Sequence, residues 1–231
     1  MSDTLAIETA DGTFWAYVAR PAVQPAPVIV VIQEIFGVND VMRAIADDYA
    51  VQGYVAVCPD LFWRQEPGVQ LTDQTQEEWD RAFGFYQGFD VNAGVADIGA
   101  TLTASHAMAG TTGKAGVVGF CLGGLLTFLS AARTDGDAFV SYYGGGTDQY
   151  LNDAGTITRP LLMHLAGEDE YIPAAAQEKI ATALSGHKQV EIHSYSGQQH
   201  AFARVGGAHY HAGDAKIAND RTAAFFKKHL S

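Results

Sequence analysis

A cysteine stands between two glycines at the end of an apolar segment. Residues 114–120 have the composition of a buried strand, and residues 122–136 have the apolar spacing of a helix. Cys121 lies at the corner between them, within the pentapeptide GFCLG at residues 119–123. This is the strand–turn–helix pattern of a nucleophile elbow, G-x-S-x-G, with cysteine in place of serine. The glycines leave room for the turn, and the helix N-terminus favours the thiolate that attacks carbonyl carbons.

A thiol nucleophile needs a base and an acid that orients the base. Asp169 follows the apolar segment 159–167, which is predicted to be a strand, and His200 follows the predicted strand 189–195. Because the carboxyl ends of parallel strands meet at one edge of a sheet, we expect these side chains to approach Cys121 there. His200 then accepts the thiol proton, and Asp169 fixes the tautomer of the imidazole.

The oxyanion formed by attack on a carbonyl requires two hydrogen-bond donors. The backbone N–H of Leu122, directly after the nucleophile, is the first predicted donor. The second is predicted in the loop at residues 33–37, after an apolar strand, with the N–H of Ile35 as the candidate.

These residues have to be positioned by alternating strands and helices. The apolar runs are short and do not alternate with polar residues, as in parallel strands that are covered on both faces. The predicted fold is α/β, with a mostly parallel central sheet and helices on both faces, and the length allows one or two domains. An antiparallel N-terminal hairpin is also predicted, with Asp11-Gly12 as its turn. Predicted strands cover residues 27–33, 53–58, 114–120, 138–144, 159–167 and 189–195, and predicted helices cover 40–53, 76–90, 95–110, 122–136, 174–186 and 212–230.

Composition narrows the class of partner. The chain has 231 residues, a net charge of −12 and no basic run, which argues against nucleic acid or an anionic membrane surface as partner. It has two cysteines, far apart in sequence, and begins without the basic and apolar regions of a signal peptide. We therefore expect a cytoplasmic protein that acts on a small molecule. A monomer is expected as well.

Several stretches together resemble the dienelactone hydrolase family along nearly the whole chain. That resemblance implies an α/β-hydrolase fold in a single domain over residues 1–231. It also implies hydrolysis of the cyclic enol ester dienelactone, 4-carboxymethylenebut-2-en-4-olide, to maleylacetate. It implies neither a metal nor an organic cofactor. The matching stretches are QEIFGVN (33–39), CPDLFWRQEPG (58–68), GFCLGG (119–124), GEDEYIP (167–173) and HAFAR (200–204).

The resemblance implies Cys121, Asp169 and His200 as a catalytic triad. It also implies a role for Glu34, which in the family holds the resting thiol and moves away when substrate binds. A carboxyl at the end of an apolar strand is unusual in itself. Buried there, it could keep the sulfur neutral and less easily oxidised until a carbonyl arrives.

Substrate binding follows the family pattern less closely. Family members bind the carboxylate of the lactone with arginines, and Arg204 matches one of them. The helix that carries the second contains only Arg81, about two positions out of register, with Trp79 nearer the expected place. Phe36 and Tyr142 are predicted to line the mouth of the site, where a flat conjugated ring would pack, although aromatic residues at strand ends are as often part of the core.

Three other interpretations remain open. The same triad would serve a cysteine esterase or thioesterase for another small ester, in which the arginines contribute nothing to binding. A non-catalytic binding or thiol-sensing protein on this fold would be expected to have lost part of the triad. A metal site at the alternating histidines 209–211, HYH, lacks ligands at convincing spacing.

Overall fold

The computed structural model describes residues 2–231, and the chain divides into two compact units between Val117 and Val118. Strand β5 runs through this boundary. The interpretation of the whole chain as one domain stays a prediction.

The first unit holds the N-terminal hairpin and the first parallel strands, in the order β1-β2-β4-β3-β5. Strand β2 pairs antiparallel with both β1 and β4, whereas β3 and β4 are parallel. Its elements are β1 (Ser2–Thr9), β2 (Gly12–Ala19), β3 (Ala26–Ile32), α1 (Asp40–Val51), β4 (Val55–Pro59), α2 (Gln76–Gln87), α3 (Val91–His106) and the first part of β5 (Thr111–Phe120).

In the second unit the strand order is β5-β6-β7-β8, and both β6–β7 and β7–β8 are parallel pairs. Its elements are the end of β5, α4 (Leu122–Arg133), β6 (Ala138–Tyr142), β7 (Leu161–Ala166), α5 (Ala174–Leu184), β8 (Val190–Tyr195) and α6 (Ala212–Leu230). Two short 3-10 helices, Thr147–Gln149 and Leu151–Thr156, connect β6 to β7.

Burial explains why the strands could be located from the sequence. All residues of β4, β6 and β7 are buried, as expected for parallel strands covered on both faces. Strand β8 is less buried along its length. The α/β class, the mostly parallel pairing and the antiparallel N-terminal hairpin are confirmed.

Two boundaries differ from the prediction for local reasons. The turn of the hairpin consists of Ala10 and Asp11, and Gly12, at φ 141°, is already the first residue of β2. Helix α3 begins at Val91 rather than at residue 95 because the carboxylate of Asp90 accepts hydrogen bonds from the next backbone N–H groups and caps the helix there.

The carboxyl ends of three strands carry the chemistry of the second unit. Ala166 at the end of β7 lies opposite Tyr195 at the end of β8, so the loops that follow both strands start side by side. Strand β5 ends immediately before Cys121. Among residues 2–231, no helix is long and apolar enough to span a bilayer.

Candidate active site

Cys121 occupies a backbone conformation that few non-glycine residues adopt. Its φ is 56° and its ψ is −116°, between the last residue of β5 and the first of α4. Its backbone N–H donates to the carbonyl of Tyr142 at 3.1 Å, which fixes the corner to the end of β6. Such strain persists only where the surroundings enforce it, and it is concentrated at functional sites.

Glycine is required at position 119 because the backbone at the end of β5 passes close to the backbone at the start of α4. A Cβ built on Gly119 would lie 2.0 Å from the carbonyl oxygen of Gly123 and 2.5 Å from Oγ1 of Thr127. No real side chain tolerates such contacts, so the steric interpretation of this glycine is confirmed. Gly124 and Gly144 form a second close approach, since a Cβ on Gly124 would lie 2.9 Å from the Cα of Gly144.

Asp169 and His200 form a buried hydrogen-bonded pair. Nδ1 of His200 lies 2.9 Å and 3.0 Å from the two carboxylate oxygens of Asp169. The side chains of His200 and Asp169 are 9% and 0% exposed, respectively. The Asp169 carboxylate also accepts the N–H of Tyr171 at 2.9 Å, which orients it within its loop. The structure therefore brings together the predicted base and its predicted orienting acid.

Cys121 lies close enough to His200 to change its protonation. Burial alone disfavours the imidazolium, but the negative charge of Cys121 and the hydrogen bond to Asp169 outweigh it and raise the pKa of His200 to about 10. Within residues 2–231, Nε2 of His200 has no hydrogen-bond partner in good geometry. His200 is therefore coupled to the sulfur mainly by the attraction between two nearby charges. This arrangement can support a thiolate beside an imidazolium.

Two tyrosines that were not predicted as site residues flank the imidazole. The rings of Tyr143 and Tyr171 lie edge-on to His200, with centroids at 5.1 and 4.8 Å. Tyr171 is 45% exposed, whereas Tyr143 is fully buried. Position offered one signal: Tyr143 directly follows the end of β6, as Cys121 directly follows the end of β5.

Tyr142, which was predicted to line the mouth, lies in the core instead. Its side chain is 1% exposed, and its hydroxyl bonds to Oδ1 of Asn219 at 2.9 Å and to Oγ1 of Thr222 at 2.6 Å, both on α6. The ring packs against Phe120 and His164. Contact with substrate is not supported by this position, because the polar end of the side chain is bonded to α6.

Arg204 lies in the loop that follows His200. Its backbone N–H donates to the carbonyl of Ala201 at 2.9 Å, and the side chain, which is half-buried, packs beside Gly207. Leu122, predicted to supply an oxyanion donor, is buried as the first residue of α4. Both roles stay predictions.

The remaining predicted site residues belong to the first unit. Glu34 and Ile35 are buried just after β3, and Phe36 packs edge-on against Trp79 at 5.2 Å. Arg81 on α2 is half exposed and forms an ion pair with Glu66. The roles expected for Glu34, Ile35, Phe36 and Arg81 stay predictions.

The alternating histidines have contacts that do not involve a metal. Nδ1 of His209 donates to the carbonyl of His200 at 3.1 Å. Nδ1 of His211 accepts the N–H of Asp214 and caps α6. In the part of the chain that the structure describes, no group of three or more histidine, cysteine, aspartate or glutamate side chains could hold a metal ion.

Comparisons with known proteins relate most of the chain to one family. Residues 14–230 match the model described as the Dienelactone hydrolase family. The chain is 40% identical over 226 residues to the carboxymethylenebutenolidase of Pseudomonas putida, covering 97% of this chain and 96% of that one. It is 53% identical over 231 residues to a protein of Azospirillum brasilense that is provisionally named as the same enzyme, covering 95% of each.

A solved structure agrees with the sequence matches. A provisionally named dienelactone hydrolase from Klebsiella pneumoniae subsp. pneumoniae superposes with a TM-score of 0.87 at 27% identity, covering 99% of both chains. The predicted α/β-hydrolase fold is confirmed by these matches.

Proposed function

Because the chain belongs to the dienelactone hydrolase family, we propose that it hydrolyses dienelactone to maleylacetate through a thioester on Cys121. The observation that carries the proposal is the buried Asp169–His200 pair, whose imidazole is coupled to the strained cysteine. The names of the relatives support the substrate class, since the Pseudomonas putida protein is a carboxymethylenebutenolidase.

Acylation begins from the state in which His200 has taken the thiol proton of Cys121. The thiolate attacks the lactone carbonyl and a C–S bond forms, with the N–H of Leu122 as one donor to the oxyanion. When the tetrahedral intermediate collapses, the ring C–O bond breaks and the enolate leaves. His200 returns its proton to the enolate, and the resulting enol tautomerises to the ketone.

Deacylation uses the same imidazole as a base. His200 takes a proton from water, and the hydroxide attacks the thioester carbonyl. A C–O bond forms, the C–S bond breaks, and the thiolate of Cys121 is regenerated beside the protonated imidazole. An enolate is a good leaving group, so a thiol nucleophile is sufficient for the first step.

The substrate is proposed to be a small anionic lactone or ester that is bound through its carboxylate. Arg204 is the first candidate partner of that carboxylate, because charge-assisted hydrogen bonds from guanidinium groups are among the stronger polar contacts. Arg81 is the second. The roles of both arginines are carried over from the family pattern. Arg81 lies about two positions from the place where that pattern has its arginine. The proposal includes a monomer in the cytoplasm, where two thiols without a disulfide remain reduced.

One observation favours the alternative of a cysteine esterase that acts on a neutral ester. The guanidinium of Arg81 is already paired with the carboxylate of Glu66. A substrate carboxylate would have to compete with this partner. If Arg81 stays paired with Glu66, only Arg204 is left to bind the substrate carboxylate. The preference for an anionic lactone is then weaker than with two arginines.

A substrate panel with arginine variants tests the proposal. The isomers of dienelactone and simple aryl esters are assayed with the wild-type protein, Arg81→Ala, Arg204→Ala and the exposed control Arg159→Ala. Loss of a charged hydrogen bond is expected to raise KM for dienelactone by about 10- to 100-fold in Arg204→Ala and leave the aryl esters unaffected. Activity on aryl esters alone would contradict the proposed substrate, and an unchanged KM in both variants would contradict the arginine contacts.

A further inference from the structure

The segment after His200 turns sharply and returns to itself. Ala201 has a φ of 62°, a left-handed conformation that disfavours alanine. The chain then runs to His211, whose backbone N–H donates to the carbonyl of Phe202 at 2.9 Å. Residues 200–211 therefore form a closed loop, which we call the histidine loop.

His209 closes this loop at the residue that carries the proposed base. Its Nδ1 lies 3.1 Å from the backbone carbonyl oxygen of His200. A carbonyl only accepts, so Nδ1 of His209 carries the hydrogen and donates it. The bond fixes the peptide plane between His200 and Ala201, where the backbone enters its unfavourable conformation.

The two ends of the loop are held to neighbouring elements. His211 caps α6 and lies 3.1 Å from the carboxylate of Asp214. Asp214 also accepts a hydrogen bond from the side-chain amide of Gln198 at 2.6 Å. The carbonyl of Gln198 accepts the N–H of Glu168 at 2.8 Å, which connects the segment before His200 to the loop of Asp169.

We propose that His209 is a positioning residue. Through its hydrogen bond to the His200 carbonyl, it holds the imidazole of His200 in place between Cys121 and Asp169. The inference rests on the proposed function, because it assigns His209 a task only in a reaction that uses His200. It gives a role to one of the alternating histidines that no step of the proposed hydrolysis uses.

The physical reason lies in the carbonyl that would lose its donor. Without His209, the carbonyl of His200 must find water or rotate, and rotation of this peptide moves the Cα–Cβ bond of His200. Nδ1 would remain attracted to Asp169, so the displacement would be felt mainly at Nε2, the nitrogen left to exchange a proton with the sulfur. Small displacements of a reacting group are costly to the rate because they remove productive geometry.

Three variants separate the hydrogen bond from the bulk of the ring. His209→Ala removes the donor. His209→Asn keeps an N–H donor at the position of Nδ1, because Nδ2 of asparagine is attached to Cγ as Nδ1 of histidine is. His187→Ala is the control, a partly buried histidine in the turn before β8. Thermal unfolding of each variant shows that it is folded.

Steady-state kinetics and the alkylation of Cys121 are then measured. For His209→Ala, we expect kcat to fall by about tenfold and KM to change by less than about twofold, because binding groups are untouched. The pH dependence of iodoacetamide alkylation of Cys121 should shift in the same variant, because it reports the coupling of the thiolate to His200. His209→Asn should restore both quantities, and His187→Ala should not change either.

The alkylation profile needs no substrate, so it distinguishes failure of this inference from failure of the proposed function. A wild-type protein that is inactive on dienelactone overturns the function and leaves the alkylation test intact. Wild-type alkylation and kcat in His209→Ala would overturn the inference. So would an asparagine variant as impaired as the alanine variant, since the ring would then matter instead of its donor.

Discussion

Both carboxylate oxygens of Asp169 face Nδ1 of His200, at 2.9 and 3.0 Å. A carboxylate only accepts, so the hydrogen of the neutral imidazole sits on Nδ1. The lone pair is then on Nε2, the nitrogen that remains available to take a proton from Cys121. One short contact between two side chains thus decides which ring nitrogen can act as the base.

Asp169→Asn tests this assignment of the tautomer. An amide can donate to Nδ1, which would move the hydrogen to Nε2 and leave no base beside the sulfur. We expect kcat to fall by about 10³-fold or more with the protein still folded. The matched control is Glu168→Gln in the same loop, whose side chain is more exposed and which should retain wild-type rates. Comparable rates for the two variants would contradict the orienting role of Asp169.

Cys121→Ser tests the coupling between sulfur and imidazole. The serine hydroxyl stays neutral, so the charge that raises the pKa of His200 to about 10 is lost. We expect loss of most hydrolytic activity, an unchanged fold, and a lower pKa of His200 measured by NMR titration of its ring protons. Full activity of the serine variant would show that the site does not depend on a thiolate.

Gly119→Ala tests the steric requirement of the elbow. The new methyl would meet the carbonyl oxygen of Gly123 at 2.0 Å, so the turn must open or the helix must shift. We expect a loss of about 3 kcal/mol or more in the free energy of unfolding, together with loss of activity. Gly155→Ala is the control, because a methyl group added at Gly155 would meet no heavy atom within 4 Å. Urea unfolding curves measure both variants, and equal midpoints would contradict the close approach.

His164→Gln tests a buried neutral histidine in the core of the second unit. Its ring bonds to the hydroxyls of Tyr195 and Thr222, and burial lowers its pKa to about 3. Between about pH 6.5 and 3 the unfolded chain binds a proton here that the folded chain does not, so stability is lost as the pH falls. At pH values well between the two pKa values, the free energy of unfolding falls by about 1.4 kcal/mol for each unit by which the pH is lowered.

Removing the imidazole should therefore flatten the acid side of the stability profile. Urea unfolding at several values of pH below about 6.5 should give a smaller slope for His164→Gln than for the wild type, whatever its stability at neutral pH. His187→Gln, at a less buried histidine, should keep the wild-type slope. Parallel profiles for the wild type and His164→Gln would contradict a neutral His164.

Most of the fold could be predicted because parallel strands that are covered on both faces consist of short runs of consecutive apolar residues. Strand β7 is buried at every position, and its ends were predicted to within two residues. The start of α3 was misplaced because the cap at Asp90 depends on a side-chain hydrogen bond that apolar spacing does not reveal.

The pairing of Asp169 with His200 could be predicted because strand ends fix where loops begin. The direction of a side chain at the end of a strand could not. Tyr142 and Tyr143 are adjacent and chemically identical, yet one bonds to α6 and the other contacts the imidazole. Tyr143 also has a φ of 37°, an uncommon conformation for a residue with a side chain, which the sequence does not reveal.

The close approach of Gly124 and Gly144 limits how this enzyme could be altered in the laboratory or by natural drift. A single added carbon on Gly124 would lie 2.3 Å from the carbonyl oxygen of Tyr142 and 2.9 Å from Gly144. In a library that randomises these two positions, most variants are expected to be inactive. Changes of substrate preference are easier to introduce at exposed side chains outside this close approach, where an added carbon meets no backbone atom.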